Sequence, residues 1–198
     1  MKKEIDSNTP VMKQFLEVKD KYNDSIVLFR MGDFYETFLN DAILTSQILG
    51  IVLTKRANGK AADVDLAGFP HHALDNYLPK LVKAGHRVAI CEQVEDPKQA
   101  KGVVKRDVVQ VVSPGTALSD SMLDQQRNNF LVGLALWSNT VGLASVDMST
   151  GDFVLDEVPV EGLGDELQSV APAEILLAER VDGEWVEQIQ RLLPSVAL

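Results

Sequence analysis

Two aromatic and two acidic side chains stand together in the stretch Asp33-Phe34-Tyr35-Glu36, which a single glycine separates from the apolar run SIVLFRM. A core segment rarely carries two acids beside its rings, and a solvated loop rarely carries this much ring surface. An aromatic ring at the end of a rigid element can stack on a nucleobase or wedge between two of them, and a neighbouring carboxyl group can contact a base edge. The stretch is therefore the first candidate for a site.

The same stretch also fits an ordinary helix start. Asp33 is suited to the N-cap position, and Glu36 lies three residues later, where it would close a capping box. The amphipathic pattern continues to Gly50, so we expect a helix over residues 36–50. A helix start accounts for the acids but not for both rings, since only one ring can pack inward.

Basic residues form two groups in the first half of the chain, at predicted strand ends and loops. The groups are Lys55, Arg56 and Lys60, and then Lys98, Lys101, Lys105 and Arg106. Side chains in such positions can reach a phosphate backbone. A solvated surface is an equally good interpretation of these charges taken alone.

The sequence lacks the motifs of several kinds of catalytic and metal-binding sites. No stretch matches the glycine-rich loop that cradles the phosphates of ATP, and no G-x-G-x-x-G follows a predicted strand. His71 and His72 are adjacent and have no third ligand at helical spacing, which favours a structural role over a metal site. Cys91 lies inside an apolar run and is expected to be buried and inert, and a single cysteine fits a reducing cytoplasm.

Asp147 leaves two alternatives open. An acid near a strand end could bind a metal ion in a ribonuclease-H-like nuclease, but two-metal chemistry needs several acids within about 4 Å of the ions. Asp152, Asp156 and Glu157 are near in sequence, although alternation along a strand divides neighbours between two faces. A turn in which Asp147 and Ser149 bond backbone amides is the favoured interpretation.

Charge divides the 198 residues into two unequal halves. Residues 1–112 carry 16 Lys and Arg against 15 Asp and Glu, whereas residues 113–198 carry 3 against 14. The net charge of −10 therefore comes from the second half and does not argue against a nucleic-acid partner for the first. The acidic half also keeps open a third alternative, a protein-interaction module that docks a basic partner. The start of the chain lacks the apolar segment of a signal peptide, and no apolar run is long enough to span a bilayer.

Hydrophobic periodicity predicts a mixed-sheet α/β domain over residues 1–112, with the order α-β-α-β-β-α-β-β. Pro79 predicts a kink or an early end in its third helix. Residues 113–129 are polar with Pro-Gly at their head, which is typical of a surface linker. Residues 130–198 predict a three-strand meander followed by α-β-α, an incomplete α/β unit that should continue in further elements.

Long ordered segments with a recognisable likeness run through the chain from about Thr9. They are TPVMKQFLEVKDKYNDSIVLFRMGDFYETFLNDA, LTKR, AGFPHHALDNYLPKLVKAGHRVAICEQ and VVQVVSPGT, then NNFLVGLALW, DMSTGDF and PAEILLAE. Together they resemble the N-terminal part of the MutS family of bacterial DNA mismatch-repair proteins.

The resemblance implies a mismatch-recognition domain at 1–112 and, after the linker, a ribonuclease-H-like connector domain without nuclease activity. The family's Phe-x-Glu lesion-reading motif matches Phe34-Tyr35-Glu36. Phe34 is expected to wedge in from the minor groove and stack on a mispaired base, Glu36 to hydrogen-bond that base, and Tyr35 to pack elsewhere. Arg56 and Arg106 fall where the family places DNA-contacting basic residues, so Arg106→Ala is expected to weaken binding to all duplexes alike.

The resemblance also implies partners and a location. The expected partners are double-stranded DNA with mispairs or small loops, the rest of a MutS chain and its dimer partner, and a MutL-type repair protein at the connector, with no membrane. ATP and magnesium are expected only in domains of the family that this sequence lacks, so we expect no cofactor and no enzymatic activity here. The expected location is the bacterial cytoplasm, at the nucleoid.

Overall fold

The computed structural model describes residues 9–59, 61–96, 98–100, 102–117 and 128–198. Predictions about the first eight residues, Lys60, Lys101 and the middle of the linker fall outside the described residues. The chain divides into two compact units, Met1–Val112 (unit 1) and Ser113–Leu198 (unit 2).

Unit 1 is built around a six-stranded mixed sheet. Its helices are α1 (Pro10–Lys21), α2 (Asn40–Leu49) and α3 (Leu74–Lys83). Its strands are β1 (Ser25–Met31), β2 (Phe34–Phe38), β3 (Thr54–Asn58), β4 (Ala61–Pro70), β5 (Arg87–Gln93) and β6 (Arg106–Val112). The strand order is β3-β4-β2-β1-β5-β6, with β1 and β5 parallel and the other neighbours antiparallel.

Residues 34–38 form a strand, so the helix expected over 36–50 and its capping box are wrong over the first part of that range. Gly32 takes a positive φ of 58° and helps to close a tight turn in which Met31 pairs with Phe34. β2 is then paired on both sides, with β1 and with β4. Two neighbouring strands satisfy the backbone amides and carbonyls of this segment, which outweighs the local helix-start pattern.

The two faces of this sheet are covered by different helices. On one face, Phe15 of α1 meets Phe29 and Phe38 edge to face, with ring centroids 5.7 and 4.9 Å apart. On the other face, Tyr77 of α3 lies 4.7 Å from Phe69 of β4 by ring centroids, and α2 packs beside α3. Successive residues of β2 therefore point into two different environments.

The helix α3 runs through Pro79 to Lys83, so the early end that Pro79 suggested is wrong. Pro79 is buried, and the helix still closes beyond it, where the Ala84 amide donates to the Lys80 carbonyl at 3.1 Å. A proline removes one backbone donor from a helix, and packing against the sheet outweighs that loss here.

Unit 2 is a four-stranded sheet that carries its helices on one face. The strands are β7 (Phe130–Trp137), β8 (Thr140–Asp147), β9 (Phe153–Pro159) and β10 (Glu174–Leu176), and the helices are α4 (Leu163–Val170) and α5 (Gly183–Leu192). The order is β10-β7-β8-β9, with β10 parallel to β7. The expected meander and the following α-β-α order are confirmed. Within the described ranges, no helix of either unit combines the length and the apolar character needed to cross a bilayer.

The first residues of the predicted linker belong to unit 2 and pack within it. The Gly115 amide donates to the buried Glu174 carboxylate at 3.0 Å, and the Asn129 side chain donates to the Pro114 carbonyl at 2.8 Å. A Cβ added at residue 115 would lie 2.8 Å from the Cβ of Glu174, so the close approach requires glycine. Residues 118–127 of the linker lie outside the described part of the chain.

The aromatic cluster under β2 gives a stability prediction. Phe15→Ala is expected to lower the free energy of unfolding of unit 1 by about 3–5 kcal/mol, because it removes a fully buried ring and leaves a cavity. Hydrogen exchange at the β1 amides measures this, since both tryptophans lie in unit 2. Glu17→Ala, on the exposed side of the same helix, is the control and should change stability by less than about 0.5 kcal/mol. Equal effects of the two variants would contradict the packing described here.

Candidate nucleic-acid interface

Phe34 is an exposed ring on a firmly held backbone. It is the first residue of β2, pairs with Met31 and Pro70, and is 46% exposed. The other aromatic side chains in the described part of unit 1 are buried or half-buried. The His71 amide donates to the Asp33 carbonyl at 2.8 Å and ties the turn to the end of β4. A large apolar side chain in this setting is available to a partner without any rearrangement of the strand.

Tyr35 points to the opposite face and is buried, in agreement with what the family resemblance implied. Its hydroxyl donates to the Glu92 carboxylate of β5. The Arg30 guanidinium lies 5.7 Å from the centre of the Tyr35 ring and 3.6 Å from the second Glu92 oxygen. Burial and the Glu92 contact raise the pKa of Tyr35 well above its ordinary value, so the hydroxyl stays a donor. The alternation of β2 thus anchors Tyr35 and presents Phe34 and Glu36 together on the other face.

Glu36 forms an ion pair with Arg56 of β3. The Arg56 Nη1 donates to Glu36 Oε2 at 2.6 Å, and the two side chains are 34% and 20% exposed. The Arg56 guanidinium carbon lies 5.8 Å from the centre of the Phe38 ring, a cation–π distance. The pair therefore forms at the protein surface, with an apolar ring beneath the cation.

Gly68 of β4 lies directly opposite Glu36 in the pairing of β2 with β4. A Cβ added at this position would lie 2.8 Å from the Tyr35 carbonyl oxygen and 3.4 Å from the Glu36 Cγ. A larger residue would therefore collide with the strand or displace the carboxyl group. The glycine therefore leaves room for the Glu36 side chain beside β4.

The charge environment of Glu36 is divided between opposing effects. Burial raises the pKa of its carboxyl group above the ordinary value, while the charge and hydrogen bond of Arg56 and the more distant charge of Arg106 act to lower it. The net direction is upward. Glu36 is thus an acid that takes up a proton more readily than an exposed glutamate, and its arginine partner restrains that tendency.

Arg106 makes internal contacts that the resemblance did not imply. Its side chain is buried, and it donates to the carbonyls of Arg30 at 2.5 Å and Val104 at 2.8 Å and to the Gln14 side chain at 3.0 Å. Its guanidinium carbon also lies 5.0 Å from the centre of the Phe29 ring. This placement does not support a direct phosphate contact. Arg106 instead ties β6, β1 and α1 together beside Phe29, the residue that lies opposite Glu36 on β1.

The remaining sequence candidates do not join this cluster. Asp147 is buried and accepts two hydrogen bonds from Ser149, at 2.9 Å from its amide and 2.6 Å from its hydroxyl. These bonds hold the pKa of Asp147 below its ordinary value. Across the described residues, no three His, Cys, Asp or Glu side chains are grouped so that they could hold a metal ion. The turn interpretation of Asp147 is therefore the one that the structure supports.

Cys91, His71 and the other basic residues also have identifiable surroundings. Cys91 is buried in β5, and burial raises the pKa of its thiol to about 12. His71 lies with its Nδ1 3.1 Å from the Asp33 carbonyl oxygen. Lys55, on β3, and Lys105, just before β6, are exposed. The lysines are solvated, and the cysteine and the histidine serve the framework of unit 1.

Two parts of the site have only weak signals in the sequence. Gly68 sits inside a predicted strand, and a glycine there can mark a close approach of another group. The partnership of Tyr35 with Glu92 joins residues 57 positions apart, and no local pattern indicates it. Both depend on the order of the strands in the sheet.

The chain consists of two consecutive mixed α/β units. The first presents a ring and a carboxyl group from a hairpin, as a nucleic-acid-binding protein with an aromatic wedge would. The family model described as MutS domain I matches residues 9–121, and the model described as MutS domain II matches residues 129–197. The chain belongs to the MutS family.

Full-length relatives show how much of such a protein this chain represents. It is 52% identical to the DNA mismatch repair protein MutS of Chlorobaculum parvum, over 87% of this chain and 20% of that protein. It is 54% identical to the protein of the same name from Phocaeicola vulgatus, over 85% of this chain and 19% of that protein. For the Chlorobaculum tepidum protein the identity is 49%, over 96% and 22%. The chain spans about a fifth of the length of these relatives.

The structural role of Arg106 gives a prediction that differs from that of a phosphate contact. Arg106→Ala is expected to lower the free energy of unfolding of unit 1 by about 2–4 kcal/mol, because it leaves the carbonyls of Arg30 and Val104 without their charged donor. Lys105→Ala removes the same charge from an exposed neighbour and should cost less than about 0.5 kcal/mol. An Arg106→Ala chain of unchanged stability whose binding to DNA is weakened would contradict this role and restore the phosphate contact.

Proposed function

We propose that this chain reads mispaired double-stranded DNA as the N-terminal part of a mismatch-repair protein. The observation that carries the proposal is the half-exposed ring of Phe34 beside the carboxyl group of Glu36, on a strand paired on both sides. The relatives that this chain matches are named DNA mismatch repair proteins, which supports the same conclusion.

Phe34 acts as a wedge at a weakened base step. Stacking of a base on an aromatic side chain contributes about 1–3 kcal/mol, and unstacking a base step costs a few kcal/mol. The gain and the cost are similar, so the wedge enters a step that a mispair has already weakened and fails at a well-stacked one. A rigid strand favours this selection, because little ordering of the protein is needed at the moment of insertion.

Glu36 supplies a hydrogen bond to the base that Phe34 displaces. A contact with a base acceptor such as a purine ring nitrogen requires a proton on the carboxyl group. Nearby phosphates and the loss of water on binding both favour that proton, and burial already raises the pKa of Glu36 in the free chain. Our proposal is that Glu36 is paired with Arg56 as a carboxylate in the free chain and takes up a proton when it binds a mispair. On matched DNA the ionised group repels the phosphates.

The remaining roles follow from the site and from the family. Arg56 is exposed enough to meet a phosphate, while Arg106 supports the strands from below. Unit 2 acts as a connector that carries signals to the rest of a MutS chain, to its dimer partner and to a MutL-type repair protein. ATP hydrolysis with magnesium belongs to the part of the relatives that this chain does not cover. The whole protein works at the bacterial nucleoid in the cytoplasm.

Binding to a short duplex with one G·T mispair, beside its matched duplex, tests the wedge. Phe34→Ala is expected to weaken binding to the mispaired duplex by about 5- to 150-fold, the loss of 1–3 kcal/mol of stacking. Binding to the matched duplex should change little, because the ring is not inserted there. The measurement is fluorescence anisotropy at two salt concentrations.

Phe153→Ala is the matched control for this experiment. Phe153 is an exposed phenylalanine on β9 of unit 2, 61% accessible, and its removal should leave both affinities unchanged. Salt-sensitive binding of the unmodified chain without any preference for the mispair would sink the proposal for these residues.

Glu36→Gln tests the proton on the carboxyl group. Glutamine keeps the shape but has no negative charge to repel the backbone, so we expect discrimination between mispaired and matched duplexes to fall more than affinity does. The preference should also lose its dependence on pH, which in the unmodified chain favours low pH because Glu36 must be neutral. Glu17→Gln, on exposed α1 surface, is the control. Equal losses on both duplexes would show that Glu36 is not a discriminating contact.

A further inference from the structure

We propose that Arg56 is a specificity-determining residue that holds Glu36 ionised and turned away from DNA until a phosphate draws the guanidinium off. The inference rests on the proposed contact of Glu36 with a base. It adds a step to that contact, in which engagement of the DNA backbone at Arg56 comes before reading of the base at Glu36.

The geometry of the ion pair favours this role over a fixed structural one. Arg56 Nη1 lies 2.6 Å from Glu36 Oε2. The guanidinium rests near the Phe38 ring, and Glu36 leans into the gap that Gly68 leaves in β4. Arg56 is a third exposed, so a phosphate can reach it from solvent. A buried arginine such as Arg106 could not change partners in this way.

The groups that face Glu36 are few among the described residues. The positions opposite Glu36 in the sheet are Phe29 on β1 and Gly68 on β4, and neither carries a charge. The charges that act on it are Arg56 of β3, in direct contact, and Arg106 of β6, through space. Arg106 is committed to its carbonyl partners, so Arg56 is the charge that can leave.

Removal of Arg56 from the pair changes Glu36 in one direction. The carboxyl group loses a charge-assisted hydrogen bond and a neighbouring positive charge, and the arriving phosphate adds a negative one. All three changes favour the protonated carboxyl, which is the form that can donate to a base. A duplex whose phosphates do not come within reach of Arg56 leaves Glu36 ionised and unable to donate.

The first test is a carboxyl ¹³C NMR titration of Glu36 in the free chain, assigned by the signal that disappears in Glu36→Gln. Arg56→Gln is expected to move the titration midpoint to higher pH, and Arg56→Lys, which keeps the charge but loses the fixed donor geometry, to move it less. Lys55→Gln removes a charge from the adjacent, exposed position of β3 and should leave the midpoint in place. An unmoved midpoint in a folded Arg56→Gln chain overturns the proposal.

The second test follows the preference for a G·T duplex over its matched duplex as a function of pH. In the unmodified chain the preference should rise as pH falls, and Arg56→Gln should shift that rise to higher pH. Arg56→Gln should also flatten the salt dependence of binding by about one unit of slope, for one lost phosphate contact. The flatter slope without a shift of the pH profile would make Arg56 a plain phosphate contact and overturn its role in specificity.

The two tests separate this inference from the proposed function. If Phe34→Ala does not weaken binding to the mispaired duplex, the proposed reading of bases is wrong. The NMR titration tests the Glu36–Arg56 ion pair separately, because it uses no DNA. If the titration midpoint moves but the chain shows no preference for mispairs, the ion pair is supported and its role in specificity is overturned. A moved midpoint together with a shifted pH profile supports both.

Discussion

The site depends on the pairing of β2 with a neighbour on each side. In that setting the alternation of the strand is fixed, and a shift by one residue would exchange the two faces. The contact of Tyr35 with Glu92 of β5 holds this register. Phe34 can be exposed because Tyr35, one residue later, supplies the anchoring aromatic on the other side. In this hairpin Tyr35 therefore stabilises the strand, and Phe34 is left exposed for contact with a partner.

Burial decides what each arginine of this region can do. Arg106 is buried with its donors committed to carbonyls, so its charge contributes to the fold and to the field at Glu36. Arg56 lies at the surface with one strong bond to a carboxylate. A pair of this kind contributes little net stability, since partly exposed ion pairs are worth about 0–1 kcal/mol. Its low cost of separation is what suits Arg56 to exchange one anion for another.

Much of the fold could be predicted from the sequence, and the failures have a common physical cause. The meander of unit 2 depends on nearby residues, and its turns are visible in the sequence. Residues 36–38 of the strand Phe34–Phe38 were predicted as helix, because the second partner of that strand, β4, lies some thirty residues later. The burial of Arg106 was missed for the same reason, since its acceptors come from residues up to 92 positions away. The local pattern required only that one of the two adjacent rings be exposed, and the resemblance to the MutS family assigned that exposure to Phe34 and the packing to Tyr35.

Two acids that both attracted attention in the sequence show what makes a carboxyl group useful. Asp147 is buried, and its hydrogen bonds from Ser149 lie within the same turn. They form as the turn forms and lower the pKa, so the group stays ionised and committed to the backbone. Glu36 instead takes its strongest partner from another strand, at the surface, and its pKa is raised by burial. The change of partner and proton that we propose for Glu36 therefore needs only the separation of a partly exposed ion pair, whereas the bonds of Asp147 are part of its turn.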